Sequence, residues 1–96
     1  MTQGITPQQL VELMPSKPKI IDVRDPHFYS VGHIPTAVNI PYNTLVMYPE
    51  RFLKLDENYI LVCQSGSTSA RAVMLLNMAG YHTLNLIGGQ SMWRLH

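Results

Sequence analysis

Short apolar runs rich in β-branched residues alternate along this chain with segments of helical periodicity, and this alternation constrains the fold more than any other feature. Strands are predicted over residues 19–23, 37–40, 58–62 and 83–87. Strands that alternate with helical segments are typical of parallel sheets. We therefore expect an α/β fold built on a mainly parallel sheet.

The first helix has the clearest start signal. Thr6 is placed to cap it, Pro7 stands at its first helical position and Gln9 completes a capping-box pattern. Pro15 ends this helix near Met14. Further helical segments are predicted over 25–29, 44–55 with a break at Pro49, 69–79, and 90–95.

The composition restricts the classes of function. The chain has 96 residues, a net charge of +1 and 46% hydrophobic residues, which fits one domain spanning residues 1–96. Its seven Lys and Arg residues are scattered, so neither nucleic acid nor an anionic membrane is expected as a partner. The longest apolar run, 72–76, is too short to span a bilayer. The N-terminus lacks a signal-peptide profile, so we expect a cytoplasmic protein.

The chain has a single cysteine, Cys63. It therefore forms no internal disulfide and builds no cysteine-rich metal site. Metal binding is not expected, because His27, His82 and His96 show no ligand spacing. Two interpretations of Cys63 stand side by side: a small core residue, or a reactive thiol.

A strand, the cysteine, a short polar loop and a helix follow one another from residue 58 onward. Ligands bind at the carboxyl ends of strands in open α/β sheets, so Cys63 lies where a site is expected. Gly66 permits backbone conformations closed to other residues. If the loop 64–69 curls around the sulfur, successive N–H groups form an anion nest. Together with the following helix, this nest would favour the thiolate over the thiol.

The loop contains no His, Asp or Glu. Sulfur transfer between thiolates needs no general base when the thiol is already ionised, so this absence favours sulfur chemistry over acyl transfer.

The chain resembles the rhodanese homology domain over nearly its whole length. Blocks of residues that match the family follow one another in the family's order and spacing. These blocks are Ile21-Asp22-Val23-Arg24-Asp25, Gly32-His33-Ile34-Pro35-Thr36-Ala37, Asn39-Ile40-Pro41, Cys63 with Gly66, Ala79-Gly80-Tyr81, Leu86-Ile87-Gly88-Gly89, and Trp93.

The resemblance implies a doubly wound sheet with helices on both faces. It also implies that Cys63 is the catalytic nucleophile and that the loop forms the substrate cradle. Family members take a sulfane sulfur from a donor such as thiosulfate or a persulfide, hold it on the cysteine, and pass it to cyanide, a thiol or an acceptor protein. No cofactor is implied. The candidate substrate-binding residues are Gln64, Ser65, Gly66, Ser67, Thr68, Ser69 and Arg71.

One departure from the family pattern affects substrate binding. Many relatives have an arginine at the position of Thr68, and loss of that cation is expected to weaken binding of a dianion such as thiosulfate. Arg71 lies one helical turn further on, and we expect that it reaches back toward the loop.

Two other functions remain open. A phosphatase or arsenate reductase on the same fold needs an arginine that closes a Cys-x5-Arg unit, whereas residue 69 is Ser and Arg71 is eight residues after Cys63. A non-enzymatic module that carries a persulfide or binds a partner is the other alternative.

Several residues have simpler structural interpretations. Ser69 or Thr68 is expected to cap the following helix. Asp22 and Arg24 are expected to brace a loop as an ion pair. The remaining expectations are that His33 satisfies backbone groups, that Met74 and Met78 fill the core, and that Trp93 covers the end of the core.

Overall fold

A computed structural model describes residues 3–93 of the chain. It contains five strands and five α-helices over this range, together with 3₁₀ turns at Met14–Ser16 and Pro49–Arg51. In chain order the elements are β1 (Gly4–Ile5), α1 (Pro7–Leu13), β2 (Ile20–Asp22), α2 (Pro26–Val31), β3 (Val38–Asn39), α3 (Tyr42–Met47), β4 (Asn58–Val62), α4 (Ser67–Met78), β5 (His82–Leu86) and α5 (Gly89–Trp93).

The five strands form one sheet in the order β1-β5-β4-β2-β3, and each neighbouring pair is parallel. The chain runs outward from β2 to β3 and then returns to place β4 on the other side of β2. This reversal opens a crevice at the carboxyl ends of β2 and β4, where open α/β sheets bind ligands. The predicted α/β fold with a parallel sheet is confirmed.

Helices cover both faces of the sheet because its inner strands are apolar on both sides. In β4 and its extension, Tyr59, Leu61 and Cys63 point to one face and pack against α3 and α4. Ile60 and Val62 point to the other face, where they join residues from the segments around α1, α2 and α5. Cys63 is therefore in phase with a core face, one residue beyond the strand.

The capping box predicted at the first helix is present. The Thr6 side chain accepts a hydrogen bond from the Gln9 amide, and the Gln9 side chain accepts one from the Thr6 amide. Helix α1 then ends at Leu13 and passes into the 3₁₀ turn that contains Pro15. No helix within residues 3–93 has both the length and the apolarity to cross a membrane.

Strand β1 was not predicted from the sequence. β1 is only two residues long and lies at the edge of the sheet, beside β5. Its pairing depends on hydrogen bonds from Asn85 to Gln3 and from Ile87 to Ile5, which join opposite ends of the chain. A contact of this kind leaves no periodic pattern in the local sequence.

The predicted boundaries of the other elements are displaced by a few residues. The second predicted helical region consists of α3 and a 3₁₀ turn, and residues 52–55 are not helical. Helix α4 begins at Ser67 rather than Ser69. The predicted terminal helix extends over residues 94–95, which lie outside the described part of the chain.

Met74 and Met78 do not fill the core, contrary to expectation. Helix α4 buries Ser69, Ala72, Val73 and Leu76, whereas Met74 is 56% exposed and Met78 is 80% exposed. The helix has one buried stripe, and both methionines lie outside it.

The end of the sheet opposite the crevice carries an ion pair. Lys19, just before β2, hydrogen bonds to Glu57, just before β4. This bond raises the pKa of Lys19 and lowers the pKa of Glu57, whose other oxygen accepts a hydrogen bond from Tyr59. The pair ties the amino ends of the two central strands together.

The loop after β4 is held by the start of α5. The amide of Gln90 donates to the Cys63 carbonyl at 2.8 Å, and the amide of Ser91 donates to the Gln64 carbonyl at 3.0 Å. This approach requires glycine at position 89, because a Cβ there would stand 2.3 Å from the Cys63 carbonyl oxygen. Gly89 also has a φ of +61°, which disfavours other residues.

We predict that Gly89→Ala destabilises the protein. The left-handed conformation costs an alanine about 1–2 kcal/mol, and the overlap with the carbonyl adds about 1–3 kcal/mol. A fall in Tm on the order of 10 °C is expected in thermal denaturation monitored by circular dichroism. Gly32→Ala is the matched control, because Gly32 has a φ of 171° and no atom within 4 Å of an added Cβ. Equal melting temperatures for the two variants would contradict the steric argument.

Candidate active site

Cys63 lies on the wall of an open cavity of about 370 Å³ at the carboxyl ends of the central strands. The segment after β2 forms one side of this cavity, and the segment after β4 forms another. Phe28 from α2 and Tyr42 from α3 also line the cavity. The full lining comprises Val23, Arg24, Asp25, Phe28, Pro41, Tyr42, Asn43, Cys63, Gln64 and Thr68.

Among residues 3–93, three donor groups lie within hydrogen-bond distance of the Cys63 sulfur. The amide of Gly66 donates to it at 3.1 Å and the amide of Ser69 at 3.2 Å, and the hydroxyl oxygen of Ser69 lies 3.2 Å away. Cys63 is only 4% exposed and packs against the core cluster on the α3–α4 face. A sulfur that is buried and also surrounded by donors is suited to carry negative charge, because each donor stabilises the thiolate.

The arrangement differs from the predicted nest in its details. Two amides three residues apart reach the sulfur, not a run of successive amides. Gly66 makes this possible with a φ of +101°, which turns the chain into α4. The Ser69 amide belongs to the first turn of that helix, where N–H groups have no partner within the helix. The sulfur therefore acts as a cap for α4.

This capping by sulfur explains why the predicted role of Ser69 or Thr68 as a cap is wrong. Gly66 stands at the N-cap, and no side chain there makes a capping hydrogen bond. The hydroxyl of Ser69 points instead to the sulfur and to the side chain of Asn85 on β5, 2.5 Å away. Both Ser69 and Asn85 are buried.

Sequence reasoning missed Asn85. Its side-chain amide nitrogen donates to the Gly66 carbonyl at 3.2 Å, and its oxygen contacts the Ser69 hydroxyl. It thus connects β5 to both ends of the turn that surrounds the sulfur. The one available signal was that Asn85 follows Thr83 by two positions, so that two polar residues share the buried side of one short strand.

Among residues 3–93, Arg24 is the only guanidinium on the cavity wall, and its hydrogen bonds serve structure. It forms a two-pronged ion pair with the buried carboxylate of Asp22, with contacts of 3.0 and 2.7 Å. It also donates to the Gly32 carbonyl at 2.8 Å and to the Gln64 side chain at 3.2 Å. The predicted bracing role of this pair is confirmed, and Gln64 is held by it.

The remaining loop residues face outward. Gln64, Ser65, Ser67 and Thr68 are exposed, and the hydroxyls of Ser65 and Ser67 lie 3.2 Å apart. Of these four residues, Gln64 and Thr68 line the cavity. The structure therefore divides the predicted loop residues into those that hold the sulfur (Gly66, Ser69), those that line the cavity (Gln64, Thr68) and those that face solvent (Ser65, Ser67).

Arg71 does not lie on the wall of the cysteine cavity. It is exposed and lines a smaller neighbouring cavity of about 250 Å³ with Tyr42, Ser67 and Thr68. Because Tyr42 and Thr68 line both cavities, Arg71 stands beside the entrance rather than inside it.

The cysteine cavity thus offers little net positive charge to a ligand. The charge of Arg24 is balanced by Asp22, and the other charged side chain that residues 3–93 place on the wall is the carboxylate of Asp25. The field at the sulfur comes from neutral donors and from the amino end of α4.

The three histidines that the structure describes, His27, His33 and His82, do not line this cavity. His33 makes a hydrogen bond with the Tyr29 carbonyl at 3.0 Å and stacks on the Tyr29 ring, so its predicted backbone role is confirmed. His96 lies outside the described residues. Within residues 3–93, no group of three or more His, Cys, Asp or Glu side chains is arranged to hold a metal ion. Trp93 packs against the core on the α1–α2 face, as expected.

Comparison with known proteins shows which family the chain is similar to. The family model for the rhodanese-like domain matches residues 6–96. The thiosulfate sulfurtransferase GlpE of Pseudomonas paraeruginosa is 30% identical over 93 residues, which cover 96% of this chain and 84% of that protein.

Solved structures show the same fold. A rhodanese-related protein from Thermoplasma volcanium superimposes with a TM-score of 0.88 and 29% identity over 97% of this chain and 91% of its own. The human single-domain sulfurtransferase TSTD1 superimposes with a TM-score of 0.87 and 25% identity over 99% of this chain and 97% of its own. With a parallel sheet, a cysteine at the switch point and a family match over almost its whole length, this chain belongs to the rhodanese-like domain family.

Proposed function

We propose that this protein is a sulfurtransferase that carries a sulfane sulfur on Cys63 as a persulfide. The observation that carries the proposal is the position of the sulfur. It receives two amide hydrogen bonds, the Ser69 hydroxyl lies 3.2 Å from it, and it lies on the wall of a cavity open to small molecules. Relatives with a thiosulfate sulfurtransferase name support the same assignment.

The first half-reaction is a displacement at sulfur. The Cys63 thiolate attacks the outer sulfur of thiosulfate, an S–S bond forms to Cys63, and the bond between the two thiosulfate sulfurs breaks. Sulfite leaves with the electron pair of that bond. The negative charge of the thiolate passes to the outer sulfur of the persulfide.

The second half-reaction returns the free enzyme. Cyanide or an acceptor thiolate attacks the outer sulfur, and Cys63 leaves as a thiolate with the bonding pair. Thiocyanate or a new persulfide is released, which makes the cycle a ping-pong reaction. No group has to take a proton in either step, and no His or Glu of the described part of the chain lines the cavity.

The donor and acceptor are proposed by chemical class. Thiosulfate and small persulfides fit as donors, and cyanide, a small thiol or the thiol of an acceptor protein fit as acceptors. A persulfide carrier without turnover of small donors is the second candidate, because the balanced charge of Arg24 leaves no free guanidinium from residues 3–93 on the cavity wall.

Thiosulfate treatment is predicted to add one sulfur atom to Cys63. The gain should be visible by intact-protein mass spectrometry and should be reversed by cyanide, with release of thiocyanate. Cys63→Ser is the matched variant, since it keeps the size of the side chain but removes the nucleophile. The proposal fails if the wild-type protein gains no sulfur at Cys63 from thiosulfate or from a persulfide donor. Loading by a persulfide donor alone would favour the carrier candidate.

Thr68→Arg is predicted to lower the KM for thiosulfate about fivefold. Thr68 is exposed on the cavity wall, and a cation there would attract the dianion with about 1 kcal/mol. Thr68→Gln adds a long polar side chain without charge and should leave this KM near the wild-type value. The KM for an uncharged persulfide donor should change in neither variant. An equal effect of Arg and Gln would show that charge is not the cause.

Arg71→Ala is predicted to raise the KM for thiosulfate by about two- to fivefold, because Arg71 lines the neighbouring cavity beside the entrance and has no ion-pair partner among the described residues. Arg71→Lys keeps the charge and should restore most of the affinity. Steady-state kinetics with thiosulfate and cyanide measure the effect. An unchanged KM in Arg71→Ala would exclude Arg71 from substrate binding.

A further inference from the structure

The Ser69 hydroxyl, behind the Cys63 sulfur, has one proton and three possible hydrogen-bond acceptors around it. The Ser69 oxygen lies 3.2 Å from the Cys63 sulfur, 2.5 Å from the Asn85 side-chain oxygen and 3.4 Å from the Gly66 carbonyl oxygen. All four residues are buried. A hydroxyl has one proton to donate, so one of these contacts excludes the others.

The orientation of the Asn85 amide is determined by its neighbours. Its nitrogen lies 3.2 Å from the Gly66 carbonyl oxygen, which can only accept. If the amide were reversed, two acceptor oxygens would face each other in a buried site. The Asn85 oxygen therefore faces Ser69, and an oxygen–oxygen contact of 2.5 Å requires the Ser69 proton between them.

With its proton directed at Asn85, the Ser69 oxygen can only accept from Cys63. This arrangement suits a neutral thiol, whose S–H points at the Ser69 oxygen. A thiolate has no proton to give and competes with Asn85 for the hydroxyl. The hydroxyl then turns about its C–O bond from the Asn85 oxygen to the sulfur.

We propose that Asn85 is a positioning residue that holds the Ser69 hydroxyl away from Cys63 when the sulfur is neutral and yields it when the sulfur is charged. Ser69 contacts the reacting atom directly, whereas Asn85 acts through Ser69. This inference rests on the proposed function, since it concerns the nucleophile of that reaction.

The pair follows the charge through the catalytic cycle. When the Cys63 thiol loses its proton to solvent, the resulting thiolate gains the hydroxyl hydrogen bond. When it attacks the sulfur donor, the new S–S bond makes the Cys63 sulfur neutral and moves the charge to the outer sulfur, while the leaving group departs with its electron pair. The hydroxyl can then return to Asn85. Asn85 thereby weakens the hold on the thiolate and favours the loaded state.

Other charged and ionisable groups near the sulfur stay unchanged in the test below. They lie at the end of β2 and on the segment after it, on α3 and on α4. Within residues 3–93, helix α5 and the part of β5 next to the sulfur contribute no charged or ionisable group. These groups are Asp22, Arg24, Asp25, Tyr42 and Arg71.

The test is the pH dependence of alkylation of the full-length protein by iodoacetamide, followed by mass spectrometry. Ser69→Ala removes a donor to the thiolate, so the pH midpoint should rise by roughly one unit. Asn85→Leu removes the competing acceptor, so the midpoint should fall by roughly half a unit or more. The Gly66 carbonyl still accepts from the Ala70 amide in that variant.

The double variant Ser69→Ala/Asn85→Leu separates this mechanism from a general packing effect. Asn85 acts only through Ser69, so the double variant should have the midpoint of Ser69→Ala. Thr83→Val is the matched control. It removes a buried hydroxyl on the same strand, one that donates to Asn77 rather than to the sulfur, and should leave the midpoint unchanged.

A midpoint in Asn85→Leu that is unchanged or raised, or an Asn85 effect that persists without Ser69, overturns the proposal. If Asn85→Leu fails to fold by circular dichroism, Asn85→Ala replaces it with the same expected direction. Alkylation reports the state of the thiol without any sulfur donor. A failure of sulfur transfer with the predicted midpoints would therefore contradict the proposed function alone.

Discussion

The hydrogen bonds to the Cys63 sulfur are the interaction on which the rest of the site depends. The sulfur is next to a hydrophobic core, where a negative charge without partners would be strongly destabilised. Two amides compensate for the water that is excluded, and the Ser69 hydroxyl lies within reach of the sulfur. Because the Ser69 amide comes from the first turn of α4, the same contact caps the helix. The site and the helix therefore stabilise each other.

Close approach of backbone to backbone keeps these donors in place. Gly66 turns the loop with a positive φ, and a Cβ there would lie 3.0 Å from the Gly88 amide nitrogen. Gly89 lets the start of α5 reach the carbonyls of Cys63 and Gln64. Side chains at these two positions would separate the segments, so the geometry around the sulfur needs glycine at both.

The distribution of charge separates structural from chemical roles. Asp22 and Arg24 neutralise each other. Arg24 also hydrogen bonds to the Gly32 carbonyl and to the Gln64 side chain, so it holds the two loops in place. The sulfur is stabilised by neutral donors, and Arg71, which has no ion-pair partner within residues 3–93, stands beside the entrance. Such a site depends on positioned dipoles more than on net charge.

The sequence alone was sufficient for the α/β class, the parallel sheet and the location of Cys63 at a strand end, because periodicity and glycine positions are local signals. It also placed the capping box at α1 and the Asp22–Arg24 pair. These features involve residues that are near each other in the chain, so their physical chemistry can be read from the order of side chains.

The tertiary structure decided which donors reach the sulfur. Asn85 is 22 positions after Cys63 and reaches the site only because β5 pairs with β4. The exposure of Met74 and Met78, the edge strand β1 and the displaced position of Arg71 likewise depend on how α4 and the sheet pack. Contacts between distant segments are set by packing of the whole core. Local residue patterns carry no record of them.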